Sequence, residues 1–100
     1  MQGLHPYLAQ ISNLCEKHNV KELYAFGSVL TGRFNEDSDV DLIVDFYPMA
    51  VDTYADNYFD LKFELEKILH RHIDLLEEKA LKNPYFTEAI HKNRELIYGP

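Results

Sequence analysis

The run Val40–Phe46, VDLIVDF, with Asp39 just before it, constrains the fold of this chain more than any other stretch. Val40, Leu42, Val44 and Phe46 alternate with Asp39, Asp41 and Ile43, and a period of two places the two sets on opposite faces of a β-strand. One face is apolar and turns to a core. The other carries two carboxylates that share a side, which a core strand has no use for.

The neighbouring segments fit a sheet around that strand. VKELYAF, Val20–Phe26, reads as a second strand that runs into Gly27, and the Thr, Gly, Asn and charged residues across 28–38 predict a short helical turn from Ser28 followed by a polar loop. Leu4, Leu8, Ile11 and Cys15 recur at helical spacing and predict a helix over 4–18, stopped by Asn19. Tyr54, Tyr58, Leu61, Leu65 and Leu69 form a stripe that predicts a long helix over 53–70, with Asp52 as its cap. RHIDLL, 71–76, is expected as a third strand, with Ile73 and Leu75 inward and His72 and Asp74 outward. Asn83-Pro84 is a helix start, with Tyr85, Phe86, Ala89 and Ile90 on its apolar side, and ELIY is a last short strand. The order predicts an α+β fold: a small mixed sheet with helices packed on it, in one domain over 1–100.

Composition narrows what that fold can meet. A net charge of -7 argues against a broad nucleic-acid surface, because long-range attraction to phosphate needs an excess of Lys and Arg. An anionic ligand must therefore be met locally or through a metal. The single cysteine, Cys15, excludes an internal disulfide framework and is expected as a small core residue. No segment is long enough to span a bilayer and the opening residues lack a signal-peptide pattern, so a cytoplasmic setting is expected.

Asp39 and Asp41 attach about 6 to 7 Å apart on one strand face. At an effective dielectric of about 20 two such charges repel by roughly 2 to 3 kcal/mol. Either a cation lies between them or the pair sits at a solvated strand end. Mg²⁺ suits the first reading, being held by one or two carboxylates together with substrate phosphates. Gly27-Ser28 at the end of the preceding strand supports it: glycine lets backbone N–H groups approach a phosphate, and a Ser hydroxyl adds a donor. Asp74 on a neighbouring strand would bring a third carboxylate, enough for two metals, one on a triphosphate and one activating an incoming hydroxyl.

Gly27-Ser28, ten residues, Asp39-Val40-Asp41 and a later Asp74 after a helix resemble the signature of the minimal nucleotidyltransferase group within the polymerase-beta-like superfamily. The order of helices and strands is similar over nearly the whole chain. The resemblance implies a nucleotidyltransferase palm fold in which Asp39 and Asp41 bind two Mg²⁺ ions. It implies that Asp74 completes the metal site and helps deprotonate the attacking hydroxyl, and that Gly27 and Ser28 hold the triphosphate. Arg33 and Ser38 stand where the family often has similar residues. Val29 and Leu30 depart from it, following Gly-Ser where members often carry a basic or larger polar residue, so positive charge at the phosphates must come from the metals, Arg33 or another chain. Such proteins are commonly encoded with a small all-helical HEPN protein as antitoxin and toxin. The implied reaction is transfer of AMP from ATP to a tyrosine of that partner. A second reading is an antitoxin that neutralises its partner by binding alone, with exposed aromatic residues such as Tyr85 or Tyr98 forming the surface.

Two other metal readings fail on pattern. Asp37, Asp39 and Asp41 alternate as in a calcium loop, but Leu42 stands where Gly is required and Pro48 where a bidentate Glu is required. His70, His72 and Asp74 alternate as zinc ligands can, but no Cys or further His falls at supporting spacing, so solvated strand-edge histidines are the reading taken. Glu64, Glu66, Glu77 and Glu78 read as ordinary helix or loop surface.

Overall fold

A computed structural model describes residues 4–30 and 38–99, with the backbone alone for Ser28 and Val29. A 3₁₀ turn, His5–Tyr7, leads into α1, Leu8–Lys17; Pro6 sits in the turn, so the predicted first helix begins tighter than an α-helix. Strand β1, Val20–Phe26, is followed by a 3₁₀ turn, Gly27–Leu30, and then by β2, Val40–Phe46. Both strands keep their predicted ends. The long helix α2 spans Val51–Leu69, β3 spans Ile73–Glu77, a 3₁₀ turn covers Glu78–Ala80, α3 spans Pro84–Asn93, and β4 spans Glu95–Tyr98.

The four strands form one sheet in the order β3-β2-β1-β4. β1 pairs antiparallel with β2 and β4, whereas β2 and β3 run parallel, joined by α2 as a crossover. The acid-bearing strand is therefore an inner strand, flanked on both sides.

Helices α1 and α2 cover one face. Leu61, Leu65 and Leu69 of α2 and Ile11 and Cys15 of α1 pack with Leu23, Ala25, Val40, Leu42, Val44, Phe46, Ile73 and Leu75 in a single core. Each fully buried Leu or Ile contributes roughly 1.5 to 3 kcal/mol relative to exposure. Burial also pushes the Cys15 thiol up to about 12, which makes it the inert core residue expected. Buried His18 fastens the end of α1 to α2: its Nδ1 lies 2.9 Å from Asn57 Oδ1 and its Nε2 2.8 Å from Glu64 Oε2, while Asn57 Nδ2 donates to the His18 carbonyl at 2.7 Å.

Several expectations need correcting. Asp52 is not a cap. Ala50, in extended conformation, occupies that position and offers no side-chain bond, while Asp52 sits in the first turn, where its charge favours the positive helix end. The third strand begins at Ile73 rather than at residue 71, because His70 adopts the left-handed conformation (φ 54) that ends α2 and the next two residues complete the reversal. Asn83 does cap α3, accepting from the Tyr85 and Phe86 amides, but the apolar side of that helix is largely outside: Tyr85 is 85% exposed, Phe86 and Ala89 are exposed, and Ile90 is buried. The helix is tied at its C-terminal end by polar contacts, through His91 and Arg94 to Glu78. The glutamates are likewise more than surface. Glu66 accepts from the Ile73 amide at 3.0 Å, Glu77 accepts from the Tyr54 hydroxyl, and Glu64 pairs with His18 and Lys17.

Candidate active site

The second sheet face is the one that carries the acids. Leu23 and Ala25 point into the main core, so Tyr24 and Phe26 point the other way, as do Asp41 and Ile43 on β2 and Asp74 and Leu76 on β3. Register arranges these residues in rows. Phe26 is opposite Asp41, and Asp41 is opposite Asp74; one rung on, Tyr24 is opposite Ile43, and Ile43 opposite Leu76. Neighbouring strands lie about 4.8 Å apart. Asp41 and Asp74, distant in sequence, are thus adjacent in the sheet, and Asp39 precedes Asp41 by two residues along the same strand.

This face is not simply open to water. Ile43, beside the acids, has 0% exposure yet lies outside the main core cluster, as does buried Ile90 of α3. Arg94, at the C-terminal end of α3, is held on this face: its guanidinium lies 3.8 Å from the centre of the Tyr24 ring and its Nη1 2.7 Å from Glu78 Oε2. The sequence pattern showed two faces but not that Ile43 on the second is fully buried.

Gly27 and Asp41 are built against each other. Gly27 has φ +76, and a Cβ placed there would stand 2.6 Å from Asp41 Oδ2, closer than any side-chain carbon can sit. Glycine is needed both for the backbone conformation and for the space beside the carboxylate. The backbone of Ser28 belongs to the 3₁₀ turn that starts here; its side chain, like Arg33 and Asp37, lies outside the described residues.

Burial, then the neighbouring charges of Asp74 and Asp39, push the half-buried Asp41 carboxyl above its ordinary 3.8. Three like-charged oxygen donors crowding one another fit a hard divalent cation, which removes that repulsion on binding. Among the described residues no three carboxylate, imidazole or thiolate groups enclose an ion by themselves. A cavity of about 250 Å³ at the far end of β2, lined among others by Asp45, Tyr47, Tyr54 and Glu77, includes none of the three acids. At their end of the sheet Asp39 and Asp74 are exposed, while Asp41 is half-buried.

His72, expected with His70 at the strand edge, is largely exposed and lies 3.3 Å from Glu66 Oε2 through its Nδ1. Arg71, which the sequence did not single out, donates through Nη1 to the Ser38 carbonyl at 2.9 Å. Among the described residues no helix is long and apolar enough to cross a membrane.

Comparison with known proteins agrees with this fold. Residues 9–97 match the family described as nucleotidyltransferase domain. A chain of Methanocaldococcus jannaschii, provisionally named a protein adenylyltransferase, is 36% identical over 85 residues, covering 85% of this chain and 82% of its own. The protein adenylyltransferase MntA of Thermococcus cleftensis is 33% identical over 92 residues, covering 90% of this chain and 85% of its own. A solved structure provisionally assigned as a minimal nucleotidyltransferase superposes with a TM-score of 0.77 at 29% identity, over 94% of this chain and 92% of that one. A chain from the complex of a tri-AMPylated Shewanella oneidensis HEPN toxin with an MNT antitoxin shares the fold, with a TM-score of 0.68 at 17% identity over 100% of this chain and 74% of that one. The element order, the mixed four-stranded sheet and these matches lead to one conclusion: the chain belongs to the nucleotidyltransferase domain family and is a minimal nucleotidyltransferase.

Proposed function

We propose that this chain transfers AMP from ATP to a tyrosine hydroxyl of a small helical HEPN-type partner, and so acts as the antitoxin of the pair in the cytoplasm. The observation that carries the reading is the row in which Asp41 stands opposite Asp74 while Gly27 leaves room beside the Asp41 carboxylate. The adenylyltransferase names of the relatives and the tri-AMPylated toxin beside an MNT antitoxin supply the nucleotide and the acceptor.

In this reading Asp39, Asp41 and Asp74 hold Mg²⁺, which when bound neutralises the triphosphate and eases ionisation of the incoming hydroxyl. Backbone N–H groups at Gly27 and Ser28, with the Ser28 hydroxyl, cradle the phosphates. Asp74 takes the phenolic proton as the tyrosine oxygen bonds the α-phosphorus and the bond to the β-phosphate oxygen breaks, releasing pyrophosphate. The protein contributes alignment and charge rather than a covalent intermediate.

The test is to incubate the chain with α-labelled ATP, Mg²⁺ and the co-encoded partner, and to map added AMP mass to partner peptides. Asp39→Asn and Asp41→Asn are expected to reduce labelling to background. Labelling that survives both changes would sink the metal assignment. Unlabelled partner that is still neutralised by Asp41→Asn would instead support binding alone.

A further inference from the structure

We infer that Arg71 is a positioning residue for Asp39, holding the backbone at Ser38–Asp39 in line with β2 so that the Asp39 and Asp41 carboxylates present to the same metal. The inference rests on the proposed metal role of Asp39.

The parallel ladder between β2 and β3 begins at Val40 opposite Ile73, and the Val40 amide donates to the His72 carbonyl at 3.1 Å. Continuing that register outward places Asp39 opposite His72 and Ser38 opposite Arg71. Ser38 and Asp39 are not part of the strand, which starts at Val40. Yet Asp39 shares a face with Asp41 only while the chain stays extended through both positions, because each step of a strand turns the side chain over. The bond from Arg71 Nη1 to the Ser38 carbonyl, 2.9 Å and half-buried, acts as one further rung of the ladder, made by a side chain where regular strand pairing has ended. It brackets Asp39 between this rung and the Val40–His72 rung.

Arg71 is well placed for this. It follows His70, whose left-handed conformation ends α2, and it precedes β3, so its own backbone is anchored on both sides. A guanidinium is planar, always charged and rich in donors, and its bond to a carbonyl is charge-assisted. Its charge also lies at the strand end where the acids accumulate. Removing an outer partner of a metal-binding carboxylate typically weakens metal affinity by about 10- to 100-fold.

Arg71→Met keeps the length and apolar stem of the side chain and removes every donor. Two measurements that need no turnover decide the matter: amide hydrogen exchange at Val40, whose amide donates to the His72 carbonyl, and Mn²⁺ binding by paramagnetic resonance in the presence of a non-hydrolysable ATP analogue. Exchange at that amide is expected to accelerate about tenfold or more, and Mn²⁺ affinity to fall by about 10- to 100-fold. In labelling assays the Mg²⁺ concentration for half-maximal transfer is expected to rise by a similar factor, with transfer at saturating Mg²⁺ within about threefold of the parent, a split that general unfolding does not give. Unchanged exchange and unchanged Mn²⁺ affinity overturn the inference. If Arg71→Met does not fold, Arg71→Gln decides: it is polar but uncharged and ends two bonds short of the guanidinium Nη, and parent-like values in both measurements overturn the positioning role. Asp39→Asn is the control. Intact Mn²⁺ binding there would refute the proposed metal role of Asp39, while the exchange rates at Val40 would still decide whether Arg71 holds this segment.

Discussion

Replacing Gly27 by alanine tests the packing of the site in one atom. The added methyl must enter at 2.6 Å from Asp41 Oδ2 and 3.4 Å from its Cγ, and it must do so at φ +76. A left-handed backbone costs a residue with a Cβ about 1 to 2 kcal/mol. Swinging the Asp41 side chain off its rotamer to clear the contact costs about 0.5 to 1.5 kcal/mol more. Together they make a loss of about 1.5 to 3.5 kcal/mol, which for a domain of this size lowers the melting temperature by about 6 to 28 °C. Urea unfolding of Gly27→Ala, Asp41→Ala and the double variant separates the two parts. In the Asp41→Ala background only the backbone part should remain, so the same glycine change is expected to cost about 1 to 2 kcal/mol there. A Gly27→Ala variant within about 0.5 kcal/mol of the parent would refute the steric reasoning. An equal cost in both backgrounds would show that Asp41 is not what the methyl meets.

Two further outcomes are expected. The hydrogen bond from His18, then that from Lys17, holds the Glu64 carboxyl below its ordinary 4.5. A lowered folded value favours the ionised form in the native state, so this contribution is whole above 4.5 and fades as pH falls through the lower folded value; Glu64→Gln should flatten the acid limb of a plot of urea midpoint against pH, and identical limbs would contradict it. Asn83 accepts from the Tyr85 amide at 3.0 Å and the Phe86 amide at 3.2 Å, so Asn83→Ala should cost about 1 kcal/mol and speed hydrogen exchange at those two amides before the rest of the sheet is affected.

The strand ends at Val20, Phe26, Val40 and Phe46 were legible because alternation of β-favouring residues stops sharply there, against Asn19, Gly27 and Pro48. Asn83-Pro84 was legible because side-chain capping and a fixed proline φ are local effects. The proximity of Asp41 and Asp74 was readable only as a shared strand face; their register depends on how α2 returns the chain, which no local pattern encodes. Ile43 shows the limit of alternation. A period of two assigns it to the acid side but is silent on what covers that side, and the structure buries it completely. Arg71 was read only as the start of the third strand because its partner, the Ser38 carbonyl, is a backbone atom and leaves no trace in sequence. The exposed Tyr85 misled for the opposite reason: helical periodicity marks an apolar stripe whether or not anything within the chain lies against it.

The single parallel pairing in the sheet sets an order of assembly. β1 and β2 are consecutive and antiparallel, so Phe26, Gly27 and Asp41 meet as soon as that pair closes. Asp74 arrives only after α2 has formed and docked, because β3 reaches β2 by way of the helix. Contacts across a long connection must first meet the entropy of closing it, and they form late. The third carboxylate therefore reports completion of the crossover. On the proposed role of Asp74, a nascent or partly unfolded chain holds two of the acids on one ribbon and lacks the third, and transfer is expected only once the helical layer is in place.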